Sequence, residues 1–204
     1  MKKKIGILET GPANYLSIKN AIKKLGHQPI IVNNKNISKI QISHLILPGV
    51  GSFDGVMRNL KKQKYIGYIN EYIKANKPIL GICVGFQVLF EKSTEGKLKG
   101  LGIFKGEFKS LKNFIKIIPN VGWKKVKGNF YMKKSFDYKK QKYFYFSHSY
   151  YLTSYKNKDI AGFIKLKNKM IPAVLINKNI FGFQFHPEKS AEDGIYFLKK
   201  FCEK

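Results

Sequence analysis

Short apolar runs alternate with amphipathic segments through the first half of the chain. Residues 4–9 predict a strand, and apolar side chains at helical spacing over residues 16–25 predict a helix that Gly26 ends. The other elements predicted in this half are strands at residues 28–32, 45–47 and 78–82 and helices at residues 65–75 and 86–90. This alternation implies right-handed crossovers and a mostly parallel sheet that helices cover on both faces. Ligands of such sheets bind at the carboxyl ends of the strands.

The second half has closely spaced apolar runs instead. Turn residues such as Asn177-Lys178-Asn179 separate some of these runs, which predicts antiparallel strands or hairpins added to the parallel sheet. The predicted strands are residues 114–118, 143–146, 160–166, 171–176 and 180–185, followed by a helix at residues 191–201. Because the sequence has no internal repeat and no Pro- or Ser-rich linker, residues 1–204 are predicted to form one domain.

Lysine dominates the composition. The 204 residues include 39 basic and 12 acidic side chains, which gives a formal net charge of +27. Arg58 is the only arginine, and bidentate recognition of phosphate and guanine favours arginine strongly. We therefore expect a solvated lysine surface and no specific nucleic-acid partner. A binding module that attaches to polyanions through its lysines is the alternative.

Two further features bear on the compartment. No apolar run approaches the roughly 20 residues of a membrane span, so no membrane partner is expected. Cys83 and Cys202, the two cysteines, lie in segments that do not resemble each other, which does not indicate a disulfide framework. A reducing cytoplasm is the expected location.

The segment Gly81-Ile82-Cys83-Val84-Gly85 follows a predicted buried strand and precedes a helical pattern. This is the cysteine form of the nucleophile elbow, in which small flanking residues permit a sharp strand-to-helix turn. The turn lifts the sulfur of Cys83 out of the sheet and sets it at a helix N-terminus, which favours the thiolate. A buried core cysteine is the alternative for such a residue taken alone.

A nucleophile of this kind needs a base, and His186 is the best candidate. It lies in Phe185-His186-Pro187-Glu188, at the end of an apolar run. The residue before a proline is held extended, and residues two apart in an extended chain point to the same side. Glu188 can therefore face the imidazole, fix its tautomer and stabilise its protonated form.

The other three histidines are weaker candidates. His27 follows a glycine that ends a helix, and His44 precedes a strand, so both are expected at the surface or at element boundaries. His148 is expected in a loop after a strand, where it would pack or support a substrate rather than act in catalysis.

A glycine-rich turn, Leu47-Pro48-Gly49-Val50-Gly51, comes directly after another predicted strand. Glycines let a peptide turn its N–H toward a bound carbonyl, and that N–H together with the Val84 amide would form an oxyanion hole. A tight turn with no chemical role is the equally weighted alternative.

Together these segments resemble the class I, triad-type glutamine amidotransferases, and within them the branch of glutaminase subunits of imidazole glycerol phosphate synthase. The matching segments follow the family order over nearly the whole chain. They are Pro48 to Phe53, Gly81 to Gln87, Pro119 to Trp123, Phe146 to Tyr150 and His186 to Ser190. The resemblance implies a flavodoxin-like three-layer α/β sandwich with a mostly parallel central sheet and antiparallel strands added in the C-terminal half.

The resemblance also implies a role for each matching residue. Cys83 would attack the side-chain amide of L-glutamine, His186 would shuttle the proton, and Glu188 would orient His186. The amides of Val50 and Val84 would hold the oxyanion. The implied substrate-binding residues are Gly49, Gly51, Gln87, His148, Ser149 and Tyr150. No cofactor and no metal are implied.

Ammonia released into water would be protonated and lost as a nucleophile. Members of this branch therefore work with a TIM-barrel cyclase subunit (HisF-type), with which they form a heterodimer and which receives ammonia through a protected channel. Trp123, Tyr145 and Lys189 match positions near that interface.

Some segments depart from the family pattern. The first loop reads Glu9-Thr10-Gly11-Pro12-Ala13-Asn14, Lys124 stands where asparagine is usual, and Asn120 stands where histidine is usual. These segments lie toward the partner or the site entrance in the family, so the departures leave open a paralogous glutaminase subunit that supplies ammonia to a surface-sugar amidotransferase. A separate alternative, from the same fold superfamily, is an elbow-cysteine hydrolase of the intracellular protease type, against which the His-Pro-Glu and Pro-Gly-Val-Gly segments speak.

Overall fold

The computed structural model describes residues 1–138 and 142–204. The strands are β1 (Lys4–Leu8), β2 (Gln28–Val32), β3 (His44–Leu47), β4 (Ile79–Ile82), β5 (Phe90–Ser93), β6 (Phe104–Ser110), β7 (Asn120–Gly128), β8 (Lys142–His148), β9 (Tyr150–Thr153), β10 (Ile160–Leu166), β11 (Lys169–Asn177) and β12 (Ile180–Phe183). The helices are α1 (Tyr15–Lys24), α2 (Phe53–Lys62), α3 (Tyr65–Lys74), α4 (Val84–Gln87), α5 (Phe130–Phe136) and α6 (Ala191–Cys202). Short 3₁₀ turns lie at Leu111–Asn113, Asn157–Asp159 and Pro187–Lys189.

A nine-stranded sheet forms the centre of the molecule, in the order β2-β1-β3-β4-β12-β11-β10-β7-β8. The first five strands are parallel to one another, and the last four run antiparallel to their neighbours. Strands β3 and β4 are buried along their whole length, as expected for parallel strands covered on both faces. The predicted fold class is confirmed.

Strand β12 shows how the two helical layers are separated. Phe181 and Phe183 contact aromatic rings of α5 and α6 on one face. Gly182 faces the other layer, where a Cβ at this position would overlap the ring of Phe86 in α4. The alternation follows from the pleat of an extended strand.

A stack of phenylalanine rings fixes the chain that follows β12. The rings of Phe183 and Phe185 lie 5.0 Å apart and nearly parallel, and Phe185 stacks on Phe144 of β8 at 4.1 Å. Phe197 of α6 contacts both Phe183 and Phe185. Since these rings are fully buried, they hold the backbone rigidly at Phe185, and therefore also at His186, which follows it.

A second, three-stranded sheet in the order β5-β6-β9 lies beside the main one. Strands β5 and β6 are parallel, and β9 is antiparallel to β6. The sequence analysis predicted none of its strands.

Two predicted elements are wrong. Residues 114–118 form no strand; Phe114 packs its ring on Tyr151 at 5.0 Å, and Ile117 is 83% exposed. The helix predicted at residues 86–90 is the single turn α4, because Phe90 already begins β5. His44 lies at an element boundary, as the first residue of β3, and it is buried against the Phe201 ring.

Helices α2 and α5 and strand β7 were also not predicted. No helix in the described ranges is long and apolar enough to cross a membrane.

Candidate active site

Cys83 occupies the turn between β4 and α4. Its backbone has a positive φ of 54°, and its N–H donates to the Phe183 carbonyl of β12 at 2.8 Å. A Cβ on Gly81 would lie 2.5 Å from the Gly85 oxygen, and a Cβ on Gly85 would overlap the Leu47 oxygen. Both flanking glycines are therefore required by close backbone contacts, which explains the elbow pattern read from the sequence.

His186 and Glu188 lie beside the elbow. The Nδ1 of His186 is 2.9 Å from Oε1 of Glu188, and the two side chains are 5% and 1% exposed. The His186 ring and the Cys83 sulfur line the same cavity, and Cys83 acts on the charge of the ring. Cys83, His186 and Glu188, which come from two distant segments of the chain, thus form one interacting series.

This series changes the pKa of His186. Burial alone would lower it, but the hydrogen bonds and charges of Cys83 and Glu188 outweigh burial and raise the pKa to about 10. Oε2 of Glu188 is buried and has no hydrogen-bond partner among the described residues. The carboxylate therefore depends on His186 for compensation of its charge, which favours the imidazolium form.

Neighbouring backbone holds the His-Pro-Glu turn. The N–H of His186 donates to the Tyr145 carbonyl of β8 at 2.9 Å. The hydroxyl of Ser190, which is fully buried, donates to the His186 carbonyl at 2.6 Å and accepts from the Tyr145 N–H at 2.9 Å. Ser190 therefore joins the turn to β8 through two hydrogen bonds of its hydroxyl.

Gln184 is a site residue that the sequence analysis missed. Its Nε2 donates to the Cys83 sulfur at 3.9 Å, and its Oε1 accepts from Nε2 of Gln87 at 3.1 Å. The thiol of Cys83 itself donates to the Ser147 carbonyl at 3.8 Å. The signal was present, because Gln184 precedes His186 by two residues in an extended segment.

The glycine-rich turn after β3 lies against the elbow. The Val50 N–H donates to the Pro12 carbonyl at 3.2 Å, and the Val84 N–H donates to the Gly49 carbonyl at 3.3 Å. Gly51 has a positive φ of 90° and open space around its Cβ position. The structure thus brings the two predicted oxyanion amides close to Cys83, but each amide has another acceptor in this conformation.

A cavity of about 260 Å³ opens above Cys83. Its lining includes most of the residues predicted for substrate binding, but Gly49 lies behind Val84 and not in the wall. The lining residues are Val50, Gly51, Cys83, Val84, Gln87, Glu95, Pro119, Tyr145, Ser147, His148, Ser149, Tyr150, His186 and Lys189. A larger groove of about 850 Å³ lies at the amino ends of β4 and β12, and its described lining has neither cysteine nor histidine.

His148 is the last residue of β8, not a loop residue, and it is buried. Its Nδ1 lies 2.8 Å from the Tyr150 carbonyl, which can only accept, so Nδ1 carries the proton and Nε2 accepts from Asn120 at 2.9 Å. Burial lowers its pKa to about 4. Because both ring nitrogens are engaged and the ring stays neutral, His148 supports the cavity wall and cannot serve as a base.

Glu95 is a second residue of the cavity that the sequence analysis missed. Its Oε2 accepts from the Phe53 N–H at the start of α2 at 2.7 Å, and burial raises its pKa. Nothing local distinguishes this glutamate from a solvated loop residue, since the fold alone brings it to the cavity.

Two of the residues predicted at the partner interface, Tyr145 and Lys189, line the cavity. The third, Trp123, is 50% exposed, and its ring is 6.3 Å from that of Tyr145. The Nζ of Lys189 lies 5.9 Å from the centre of the Tyr145 ring. No group of three or more metal-ligating side chains occurs within residues 1–138 and 142–204.

Comparison with known proteins identifies the class. The profile described as "Glutamine amidotransferase class-I" matches residues 7–204. The chain therefore belongs to the class I glutamine amidotransferase family, as the sequence motifs indicated.

Two relatives that match nearly the whole chain carry the same subunit name. The chain is 38% identical to a protein of Cyanidium caldarium named imidazole glycerol phosphate synthase subunit hisH, with 98% of each chain covered. It is 42% identical to the HisH subunit of Caldanaerobacter subterraneus subsp. tengcongensis, over 98% of this chain and 97% of the relative. The structure of PurLQS from Thermotoga maritima superposes with a TM-score of 0.77 at 19% identity, over 100% of this chain and 99% of that one.

Proposed function

We propose that this chain hydrolyses L-glutamine to glutamate and ammonia as the glutaminase subunit of imidazole glycerol phosphate synthase, in histidine biosynthesis. The observation that carries the proposal is the series from Cys83 through His186 to Glu188, in which Cys83 and His186 line one cavity and Nδ1 of His186 lies 2.9 Å from Oε1 of Glu188. The names of the relatives at 38% and 42% identity support the assignment to this branch.

The chemistry follows from the series. The thiolate of Cys83 adds to the side-chain carbonyl carbon of glutamine, and the imidazolium of His186 gives its proton to the leaving nitrogen, so ammonia departs and a thioester remains. His186, now neutral, takes a proton from water as the water adds to the thioester. The tetrahedral intermediate then expels the thiolate and releases glutamate. Glu188 keeps the ring in one tautomer and stabilises its charged form.

The oxyanion must be held by the amides of Val50 and Val84. Both now donate to backbone carbonyls, of Pro12 and Gly49 respectively. Rotation of the Gly49–Val50 peptide would remove the Gly49 oxygen from Val84 and turn the Val50 N–H toward the cavity in one movement. Glutaminase turnover of the isolated chain should therefore be low and should rise when a partner and its nucleotide ligand favour the rotated form.

The cavity supplies groups for the two ends of the substrate. The carboxylate of Glu95 lies in the wall and would pair with the α-ammonium of glutamine, which offsets its own burial. Backbone of Ser149 and Tyr150, held by the His148 ring, would receive the α-carboxylate. Gly51 and Gln87 complete the wall, and Gly49 shapes the turn.

The partner is proposed to be a TIM-barrel cyclase subunit of the HisF type, bound as a heterodimer in the cytoplasm. Trp123 exposes half of its surface beside Tyr145, and Tyr145 and Lys189 line the cavity. Exposed aromatic rings are typical of interface cores. A partner docked there would receive ammonia before water protonates it.

A surface-sugar amidotransferase is the second candidate acceptor. The observation that favours it is on β7, where the buried Asn120 beside His148 and the nearby Lys124 stand where histidine and asparagine are usual.

The test is reconstitution with each candidate acceptor complex while glutamate release is measured. We expect stimulation by the histidine-pathway cyclase and loss of about 10⁴-fold or more in Cys83→Ala, while Cys202→Ala, a change on α6, retains activity. Appreciable turnover by Cys83→Ala would remove the mechanism. Full activity of the isolated chain would contradict the idea that the Val50 and Val84 amides must first leave their present acceptors. Stimulation only by the surface-sugar amidotransferase would reassign the acceptor.

A further inference from the structure

We propose that Gln184 is a positioning residue that stabilises the thiolate of Cys83, through an amide N–H whose direction Gln87 fixes. The inference rests on the proposed role of Cys83 as the nucleophile and adds a residue to it. Gln184 is 1% exposed, and a buried amide at this depth needs specific partners.

The first step of the argument is the direction of the side chain. Phe183 and Phe185 enter the phenylalanine stack on the side of α6. Gly182 faces Phe86 on the opposite side, and the pleat places Gln184 on that side as well. The backbone N–H of Gln184 is held by the Ala173 carbonyl of β11 at 2.9 Å, so the side chain starts from a fixed point.

The second step is the orientation of the amide. Gln87 donates its Nε2 to Oε1 of Gln184, at 3.1 Å. If the Gln184 amide alone were flipped, two NH₂ groups would face each other and a carbonyl oxygen would face the sulfur. With Gln87 donating as it does here, Nε2 of Gln184 faces Cys83 and donates to the sulfur at 3.9 Å.

The third step is that the sulfur needs such a donor. The sequence analysis attributed thiolate stabilisation to a helix N-terminus, but α4 has only four residues, so its dipole is small. The Val84 N–H is occupied by Gly49, and the Ser147 carbonyl can accept only from the thiol form. Apart from His186, the amide of Gln184 is the side-chain donor that favours the charged sulfur.

The pH dependence of Cys83 alkylation measures this contribution directly. The titratable groups that face the sulfur or line its cavity are His186, Glu188, His148, Glu95, Lys189, Tyr145 and Tyr150. The variants tested leave all of them in place. A Cys202→Ser background makes Cys83 the only thiol.

The experiment compares Gln184→Met and Gln184→Glu with the parent, by the rate of iodoacetamide labelling as a function of pH. Loss of the donor in Gln184→Met should move the labelling midpoint about one pH unit upward, and the negative charge in Gln184→Glu should move it further. Phe181→Leu, which trims the other face of the same strand, is the matched control and should leave the midpoint unchanged.

A midpoint unchanged in Gln184→Met would overturn the inference, even if glutaminase activity falls. If Gln184→Met does not fold, Gln184→Leu decides, because it also lacks the donor and adds no charge. Gln184→Glu shows only that the position senses charge at the sulfur, since a carboxylate there would raise the midpoint in either case. The assay needs neither turnover nor partner, so its failure is separate from that of the proposed function, which depends on Cys83→Ala.

Discussion

At the residue scale, the site combines groups whose pKa values are moved in opposite directions by their surroundings. His186 and His148 are both buried, yet the pKa of the first is raised to about 10 and that of the second is lowered to about 4. The difference is the charge beside each ring, since Cys83 and Glu188 stabilise the charged form of His186, whereas His148 hydrogen-bonds an amide and a carbonyl and lies near the positive charges of His186 and Lys124. The surroundings of each histidine therefore determine which of the two carries a proton, and the residue type alone does not.

The carboxylate of Glu188 is expected to control the charge on His186. Glu188→Gln keeps the shape of the side chain and removes its charge, so the pKa of His186 should fall, and glutaminase kcat should drop by about two to four orders of magnitude. Steady-state kinetics with the activating partner present measure the change. Asp193→Asn, which removes a carboxylate paired with Lys142 outside the cavity, is the control and should stay near the parent. Equal activity in the two variants would contradict the role of Glu188.

At the element scale, the elbow is built from three segments in close contact. Strand β4 leads into Cys83, the end of β3 lies against Gly85, and β12 receives the Cys83 N–H. Contacts with these neighbours therefore maintain the strained backbone of the turn, which allows a non-glycine residue to hold a positive φ.

Gly85→Ala tests this dependence. The added methyl group would overlap the Leu47 carbonyl oxygen, which is backbone and cannot rotate away. We expect the free energy of unfolding to fall by about 2–4 kcal/mol, measured by urea denaturation. Gly67→Ala is the matched control, because Gly67 is exposed in α3 and has open space at its Cβ position. That variant should gain up to about 1 kcal/mol, and a comparable loss in both would disprove the argument.

At the scale of the whole molecule, buried histidines couple stability to pH. Burial lowers the pKa of His44 and of His148 to about 4, whereas the unfolded chain has values near 6.5. Between these values the unfolded state binds more protons, so stability is fully present above pH 6.5 and is lost as the pH falls toward 4. His186 has the opposite sign, because its raised pKa contributes stability below pH 6.5 that is lost as the pH rises toward 10.

The acid side of this profile can be tested with His44. Each of the two histidines should contribute on the order of 3 kcal/mol between pH 6.5 and pH 4. In His44→Gln the loss of unfolding free energy over this interval should be smaller than in the parent, as measured by urea titrations at successive pH values. Equal slopes for the two proteins would show that His44 does not titrate with folding.

Much of the fold could be predicted because its signals are local. Strands β2 and β10 begin and end where the sequence predicted, since apolar runs bounded by turn residues leave few alternatives. Residues 114–118 were mistaken for a strand because apolar composition does not show whether a neighbour is available for pairing. The length of helix α4 was overestimated because the helix ends where Phe90 pairs with β6, a contact between distant segments.

The sequence by itself determined the elbow, the His-Pro-Glu turn and the family, because each of these is encoded by a few adjacent residues. Only the tertiary structure decided that Glu95 joins the site, that Gln184 contacts Gln87 and the Cys83 sulfur, and that the amides of Val50 and Val84 donate elsewhere. Those facts depend on contacts between segments far apart in the chain. A contact of that kind is set by how the strands and helices pack, and no short stretch of residues carries it.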